Sequence, residues 1–348
     1  MLLASGLVAL ALAAVVALLA GTFSGAGGGS THTRAASPPA VARPEVAGGG
    51  RRTPARAQPA RAASFAVGLL TLHLVDRSRR VALPDGTLIP RTLTTFVRYP
   101  ARGARGAGER TGATPARATG GFPLIVFGHG FAVTPAIYDP LMRAWARAGF
   151  VVAAPVFPLA NAHAPGGPDE ADLVNQPADM SFVISSMLAA SGAGQGVLAG
   201  MVDPSRVAVA GQSDGGDTAL AVAYDPRVRD PRVGAAVILS GAEIPFTSSF
   251  HFPDAGPALL ATQGTADTIN PPSMTEAFFA AAPRPKYLLW LTGAEHLPPY
   301  TDGQPWLGIV ERVSIAFLQR YLEHRPIGVR RLQRLGSASG SSSLEAQP

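Results

Sequence analysis

The chain has 348 residues, of which 47% are hydrophobic, and this length and composition allow a large buried core in one domain. The formal charge of +6 is concentrated in residues 1–62, which hold six arginines and one glutamate, so the rest of the chain is nearly neutral and we expect no nucleic-acid partner. The absence of cysteine excludes disulfides, thiolate nucleophiles and cysteine-ligated metals, and the seven histidines lack metal-ligand spacing, so we expect no metal and no cofactor.

The N-terminal segment LLASGLVALALAAVVALLA, residues 2–20, is apolar apart from one serine and one glycine. It predicts that residues 1–30 form a secretory signal peptide or a membrane anchor, although no basic residue precedes Arg34. A buried helix is the alternative. It is disfavoured because residues 31–62, rich in Ala, Pro and Arg, predict a disordered linker between this segment and the folded domain. We therefore expect a secreted or membrane-anchored extracellular protein.

Residues 63–335 alternate short β-branched runs with amphipathic segments, a pattern typical of an α/β fold with a mostly parallel sheet flanked by helices. Two opening strands, FAVGLLTLHLVD and RTLTTFVRYP, are predicted to be antiparallel. Six more strands are predicted over residues 122–130, 151–158, 206–213, 233–241, 258–264 and 286–293, which makes eight. Helices are predicted around residues 137–148, 177–190, 216–224, 273–281 and 310–322. A flexible insertion over residues 101–120 and a disordered tail over residues 336–348 complete the predicted organisation.

The sequence GQSDG, Gly211 to Gly215, matches the GxSxG pattern of a nucleophile elbow and lies between a predicted strand and a predicted helix. At such an elbow the serine backbone is strained, and the two glycines keep side chains away from the neighbouring strand and helix. The alternative interpretation of Ser213 is a helix N-cap. The placement between strand and helix favours Ser213 as a catalytic nucleophile.

A serine nucleophile needs a base, and the base needs a group that fixes its tautomer. Asp267 and His296 each follow a late predicted strand, in the chain order expected after this elbow, at the sheet edge where open parallel sheets bind ligands. Taken singly, each is better explained as a turn aspartate or a surface histidine. Together with Ser213, in chain order and at strand ends, they predict a catalytic triad of Ser213, Asp267 and His296. The sequence also offers four rival acids, which are Asp214, Asp217, Asp254 and Glu295.

Two backbone N–H groups are expected to stabilise the oxyanion of an acyl-transfer reaction. One belongs to Asp214, directly after the nucleophile, and the other to Phe131 in the loop FGHGF after the strand LIVFG. His129 lies in the same loop, and we interpret it as a structural side chain rather than a base.

From about Val67 to about Leu322 the chain resembles the α/β-hydrolase superfamily, and within it the secreted bacterial esterases grouped with chlorophyllase, platelet-activating-factor acetylhydrolase, dienelactone hydrolase and cutinase-like polyester hydrolases. The resemblance rests on VGLLTLHLVDRSR leading into RTLTTFVRYPA, and on FGHGF, AGQSDGGDTA, GTADTINPP and GAEH. It implies the α/β-hydrolase fold and a carboxylic ester hydrolase of the serine esterase or lipase type.

The segment AEIPFTSSFHFPDAGP between two late strands is too short for a large helical lid, so we expect an open cleft. Phe246, Phe250 and Trp306 are candidate substrate-wall residues, although core packing explains them equally well. The preferred substrate is a neutral small-molecule or lipid-like ester with a short or medium acyl chain, and we expect a monomer. An acyltransferase with the same triad and a non-catalytic binding protein with this fold are the alternatives.

Overall fold

The computed structural model describes residues 64–104, 106, 108–244 and 249–348, and these residues build one mixed sheet of ten strands. The strands are β1 (Ala66–Ala82), β2 (Leu88–Ala101), β3 (Glu109–Thr111), β4 (Phe122–Gly128), β5 (Val151–Pro155), β6 (Val202–Gln212), β7 (Val233–Leu239), β8 (Ala258–Gly264), β9 (Lys286–Leu291) and β10 (Ser342–Gln347). Their order across the sheet is β10-β9-β8-β7-β6-β4-β5-β2-β1-β3. Strands β4 to β9 are parallel to one another, whereas β2 runs antiparallel to both β5 and β1.

Seven α-helices cover the sheet in the described part of the chain. They are α1 (Asp139–Ala148), α2 (Gln176–Gly192), α3 (Asp214–Tyr224), α4 (Pro272–Ala281), α5 (Pro298–Thr301), α6 (Trp306–Tyr321) and α7 (Val329–Gly336). Short 3₁₀ helices precede α1 and α2, at Pro135–Tyr138 and Glu170–Asn175. The five helices predicted from the sequence are all present, and α5 and α7 are additional.

The sheet separates two hydrophobic cores, and β4 illustrates how the sequence produces them. All its residues are buried, but successive side chains of a strand point to opposite faces. Leu124 and Val126 therefore pack with residues of α2, α3 and α4, while Ile125 and Phe127 pack with residues of α1, α6 and α7. A strand buried on both faces reads as a continuous apolar run, as expected for the centre of a parallel sheet.

The predicted α/β architecture and the antiparallel opening pair are confirmed, but the predicted count of eight strands is wrong. The two extra strands, β3 and β10, lie at opposite edges of the sheet. Strand β3 lies within residues 101–120, where the sequence predicts only a flexible insertion, and it pairs with the start of β1. The insertion is also anchored by Ala116, which is buried, and by the Tyr99 hydroxyl, which donates to the Ala113 carbonyl at 2.8 Å.

The tail after residue 336, for which the sequence predicts disorder, is also different in the structure. Strand β10 pairs antiparallel with the whole of β9, and Leu344 is buried against the second core. This short serine-rich segment has only one large apolar side chain, so its order depends on the edge of β9 rather than on local propensity.

Residues 1–30 and 31–62, predicted to be a signal or anchor and a linker, lie outside the described residues, and so does Phe246. Within the part of the chain that the structure describes, no helix is both long enough and apolar enough to cross a bilayer. Export or anchoring through residues 2–20 therefore stays a prediction.

Candidate active site

Ser213 occupies the turn between β6 and α3 with φ 55° and ψ −129°, a left-handed conformation that costs energy for a non-glycine residue. Close backbone packing surrounds it. A β-carbon on Gly211 would lie 1.9 Å from the Gly215 carbonyl oxygen, and one on Gly215 would lie 2.1 Å from the Gly128 carbonyl oxygen. Only glycine fits at both positions, so this sequence is built to hold the serine at a sharp elbow.

The structure brings Ser213, His296 and Asp267 together at the carboxyl edge of the parallel strands. The Ser213 hydroxyl lies 2.9 Å from His296 Nε2, and His296 Nδ1 lies 2.8 Å from Asp267 Oδ2. Asp267 follows β8 and His296 follows β9, so strands on one side of β6 deliver both. A proton can therefore pass from the serine to a ring whose other nitrogen is fixed by a carboxylate.

The Asp267 carboxylate is buried and held by its own turn. Its Oδ1 accepts the backbone N–H groups of Ile269 and Asn270, each at 3.0 Å. Its Oδ2 accepts from the Gln263 side-chain amide at 3.3 Å in addition to facing the histidine. Because two backbone N–H groups occupy Oδ1, Oδ2 is the oxygen that accepts a hydrogen bond from His296 Nδ1–H.

The rival acids are placed elsewhere. Asp254 and Glu295 are exposed, and Asp217 Oδ1 accepts the Ala242 N–H at 2.6 Å. Asp214 Oδ2 is buried with no hydrogen-bond partner among the described residues. Of the five candidate acids, Asp267 is the one in contact with His296.

The loop after β4 brings backbone close to the nucleophile. A β-carbon on Gly130 would lie only 3.3 Å from Ser213 Cβ. The next residue, Phe131, is half-buried, and its N–H donates to no other described residue. Asp214 is the first residue of α3, and the first N–H groups of a helix have no acceptor within that helix, so the Asp214 N–H is not used by α3. Both N–H groups predicted for the oxyanion thus belong to segments adjoining Ser213.

His129 is buried and fully engaged in the same loop. Its Nδ1 lies 2.7 Å from the Gly130 carbonyl, and its Nε2 accepts the Phe157 N–H at 3.0 Å. Burial lowers the pKa of His129 to about 4, which keeps the ring neutral. These contacts support its interpretation as a structural side chain.

Two acids beside the nucleophile are held in a poorly solvated environment. Burial, reinforced by the Glu170 carboxylate, raises the pKa of Asp214 to about 7. Burial and then the charge of Asp214 raise the pKa of Asp217 well above its ordinary value. The first turn of α3 therefore carries less negative charge at neutral pH than its sequence indicates.

Asp214→Asn is expected to raise the free energy of unfolding at pH 8 by about 2–4 kcal/mol and to leave it unchanged near pH 4. The pKa of Asp214 is about 7 in the folded protein, above that of an exposed aspartate. At a pH between the unfolded and the folded pKa, Asp214 is ionised in the unfolded chain but still protonated in the folded protein. The free energy of unfolding of the wild type therefore falls as the pH rises through this range. Urea unfolding at pH 4, 6 and 8 measures the difference.

Asp203→Asn is the matched control. Partial burial acts to raise the pKa of Asp203, but bonds from Ser205 and then from the Arg206 guanidinium outweigh it, so the pKa is lowered. That variant should gain no stability at alkaline pH. A pH-independent effect of Asp214→Asn would contradict the raised pKa.

Two of the three aromatic candidates, Phe250 and Trp306, lie among the described residues. Phe250 is half-buried, packs against the first core and contacts Phe252 with ring centroids 4.7 Å apart and ring planes tilted by 40°. Trp306 is half-buried against the second core, and its indole N–H donates to the Thr292 carbonyl at 3.1 Å. Contact with a substrate stays a prediction for both residues.

Two buried residues adjoining this site are not identified from the sequence. Gln212 lies 3.2 Å from His296 through the two Nε2 atoms, and the Tyr138 hydroxyl donates to Gln212 Oε1 at 2.7 Å. Gln212 stands at the variable position of GxSxG, and nothing in the sequence around Tyr138 indicates this contact. In the described part of the chain no cluster of three or more His, Asp or Glu side chains has the arrangement of a metal site.

Comparison with known proteins agrees with this architecture. The chlorophyllase family model matches residues 112–237, a segment that contains Phe131, Ser213 and Asp214 and ends before Asp267 and His296. The chain is similar to a ferulic acid esterase from Streptomyces cinnamoneus, with a TM-score of 0.58 and 24% sequence identity over 78% of this chain and 93% of that chain. No curated protein sequence matches. The protein has the α/β-hydrolase fold, and the family match supports a carboxylic ester hydrolase.

Proposed function

We propose that the protein is a serine hydrolase that cleaves neutral carboxylic esters with a short or medium acyl chain through an acyl-enzyme on Ser213. The observation that carries the proposal is the continuous contact from Asp267 to His296 to Ser213, with distances of 2.8 and 2.9 Å. The strained conformation of Ser213 and the backbone that adjoins it support the same reaction.

In the acylation half-reaction, Ser213 Oγ attacks the ester carbonyl carbon while its proton passes to His296 Nε2. Asp267 accepts a hydrogen bond from His296 Nδ1–H throughout and stabilises the imidazolium that forms. The N–H groups of Phe131 and Asp214 donate to the carbonyl oxygen as it becomes negative. The tetrahedral intermediate then expels the alcohol, which leaves with the proton from His296 Nε2.

In the deacylation half-reaction, water attacks the acyl-enzyme and gives its proton to His296 Nε2. The second tetrahedral intermediate collapses, Ser213 regains its proton from the histidine, and the carboxylic acid leaves. No metal or cofactor takes part in these steps. Asp267 stabilises the positive charge that forms on His296, and backbone N–H groups stabilise the negative charge that forms on the carbonyl oxygen.

Incubation with p-nitrophenyl esters of graded chain length tests the reaction. We expect release of p-nitrophenol that is greatest for short and medium acyl chains and falls for long ones. Adding methanol separates hydrolysis from acyl transfer, because a transferase gives mainly the methyl ester whereas a hydrolase gives mainly the free acid.

A fluorophosphonate probe followed by peptide mass spectrometry tests the residue. We expect the adduct on Ser213. The hydroxyls of Ser185 and Ser240 are engaged with the Ser181 carbonyl at 3.0 Å and the Tyr300 hydroxyl at 2.9 Å, respectively. An adduct on either of these serines, or no adduct together with no turnover, would refute the proposed function.

A further inference from the structure

A buried side-chain amide, that of Gln212, connects the two halves of the proposed site. Gln212 is the last residue of β6 and is 1% exposed. On one side its Oε1 accepts the Tyr138 hydroxyl proton at 2.7 Å, and on the other its Nε2 donates to the His296 carbonyl at 3.1 Å. The Tyr138 hydroxyl also accepts the Gly130 N–H at 3.3 Å. The connection therefore extends from the loop after β4 to the histidine after β9.

The partners at each end fix the orientation of the amide. Because the Tyr138 oxygen accepts the Gly130 N–H, its own proton is available for Gln212 Oε1. A backbone carbonyl can only accept, so the amide nitrogen must face His296. All three bonds agree on one orientation, and a buried amide satisfied at both ends resists rotation.

The same amide nitrogen also lies beside the atom that carries the transferred proton. Gln212 Nε2 is 3.2 Å from His296 Nε2, whereas Ser213 Oγ is 2.9 Å from it. The neutral ring accepts at this nitrogen. After it takes the serine proton, Nε2–H is a donor that faces a second donor, the Gln212 amide. The Gln212 contact at Nε2 is therefore available only to the neutral ring, whereas the bond from Gln212 to the His296 carbonyl does not depend on the protonation state of the ring.

We propose that Gln212 is a positioning residue that fixes His296 and the loop containing Gly130 relative to Ser213. The proposal rests on the proposed function, since it concerns the same proton transfer. Tyr138 completes the connection because it holds the amide oxygen and the Gly130 N–H at once. Neither residue touches the reacting carbon in this proposal.

Gln212→Leu removes the amide's three contacts, with the Tyr138 hydroxyl, the His296 carbonyl and His296 Nε2, with little change in side-chain volume. We expect kcat for a p-nitrophenyl ester to fall about 10- to 100-fold with KM changed less than about two-fold, because the ring loses its alignment while the substrate surface is kept. The rate of fluorophosphonate labelling of Ser213 should fall by a similar factor. The matched control is Gln319→Leu, which replaces a buried glutamine of α6 and should leave both rates unchanged.

Tyr138→Phe is the second variant, and it removes a single hydroxyl. It should lower kcat and the labelling rate in the same direction but by about 3- to 10-fold, because Gln212 keeps its bond to His296. Its control is Tyr287→Phe, another buried tyrosine, whose hydroxyl bonds that of Tyr321 at 2.8 Å. If Gln212→Leu does not fold, as judged by circular dichroism, this variant decides the matter.

The outcomes separate this inference from the proposed function. A wild-type protein that neither turns over an ester nor reacts with the probe would refute the proposed function. A wild type that does both, combined with folded Gln212→Leu and Tyr138→Phe variants that keep wild-type kcat and labelling rate, would refute only the positioning role. A lower kcat in both variants, with both controls unaffected, supports that role.

Discussion

Replacement of Ser213 by alanine is expected to lower kcat for a p-nitrophenyl ester by about 10⁶-fold. The variant keeps His296, Asp267 and the backbone around the elbow, but it lacks the oxygen that forms the acyl-enzyme. The remaining catalysis comes from binding and from backbone N–H groups alone. The backbone φ of 55° at this position is strained for alanine as it is for serine, so the variant keeps the conformation of the elbow but lacks the nucleophile. Initial rates measure the loss, with the variant assayed at a much higher enzyme concentration than the wild type.

Ser240→Ala is the matched control for this change. Ser240 is also buried, also has a positive φ, of 46°, and also follows a central strand, but its hydroxyl contacts Tyr300 rather than a histidine. Its loss should leave kcat close to that of the wild type. If Ser213→Ala kept substantial turnover while Ser240→Ala lost it, the nucleophile would be Ser240.

The strands, helices and central contacts of this site follow from short-range features of the sequence. Continuous apolar runs identify β4 to β9, and parallel strands end at a common edge, so residues that directly follow them meet there. Ser213, Asp267 and His296 each have such a position. Chain order then suggests a role for each residue, which is why three residues separated by up to 83 positions can be selected together.

The features that the sequence does not reveal depend on partners distant along the chain. Strand β10 is a serine-rich segment that is ordered by pairing with β9, and β3 is three residues that pair with β1. The contacts of Gln212 with Tyr138 and His296 span 74 and 84 residues. Their geometry depends on side-chain directions that no local periodicity encodes. Likewise, the raised pKa of Asp214 results from burial, which appears only when the fold is complete.

The choice among acids depends on the direction in which each carboxylate receives hydrogen bonds. Asp217 is bonded to the Ala242 N–H, and Asp214 is buried without a partner for Oδ2. Glu295 is adjacent to His296 in sequence but is exposed to solvent. Asp267 is fixed by two N–H groups on one oxygen, which leaves its other oxygen for the histidine. A carboxylate held in this way fixes the tautomer without needing to move.

Asp267→Asn is expected to lower kcat by about 10³- to 10⁴-fold. The asparagine oxygen must take the place of Oδ1 to accept the N–H groups of Ile269 and Asn270, so its NH₂ group takes the place of Oδ2 and faces His296 Nδ1. Two donors cannot face each other, so the ring adopts the tautomer with hydrogen on Nε2 and presents N–H to Ser213. That tautomer cannot accept the serine proton. Steady-state kinetics on the folded variant measure the effect. Glu295→Gln is the control, and its kcat should equal that of the wild type. Near-normal turnover of Asp267→Asn would show that Asp267 is a turn residue and that another acid serves the histidine.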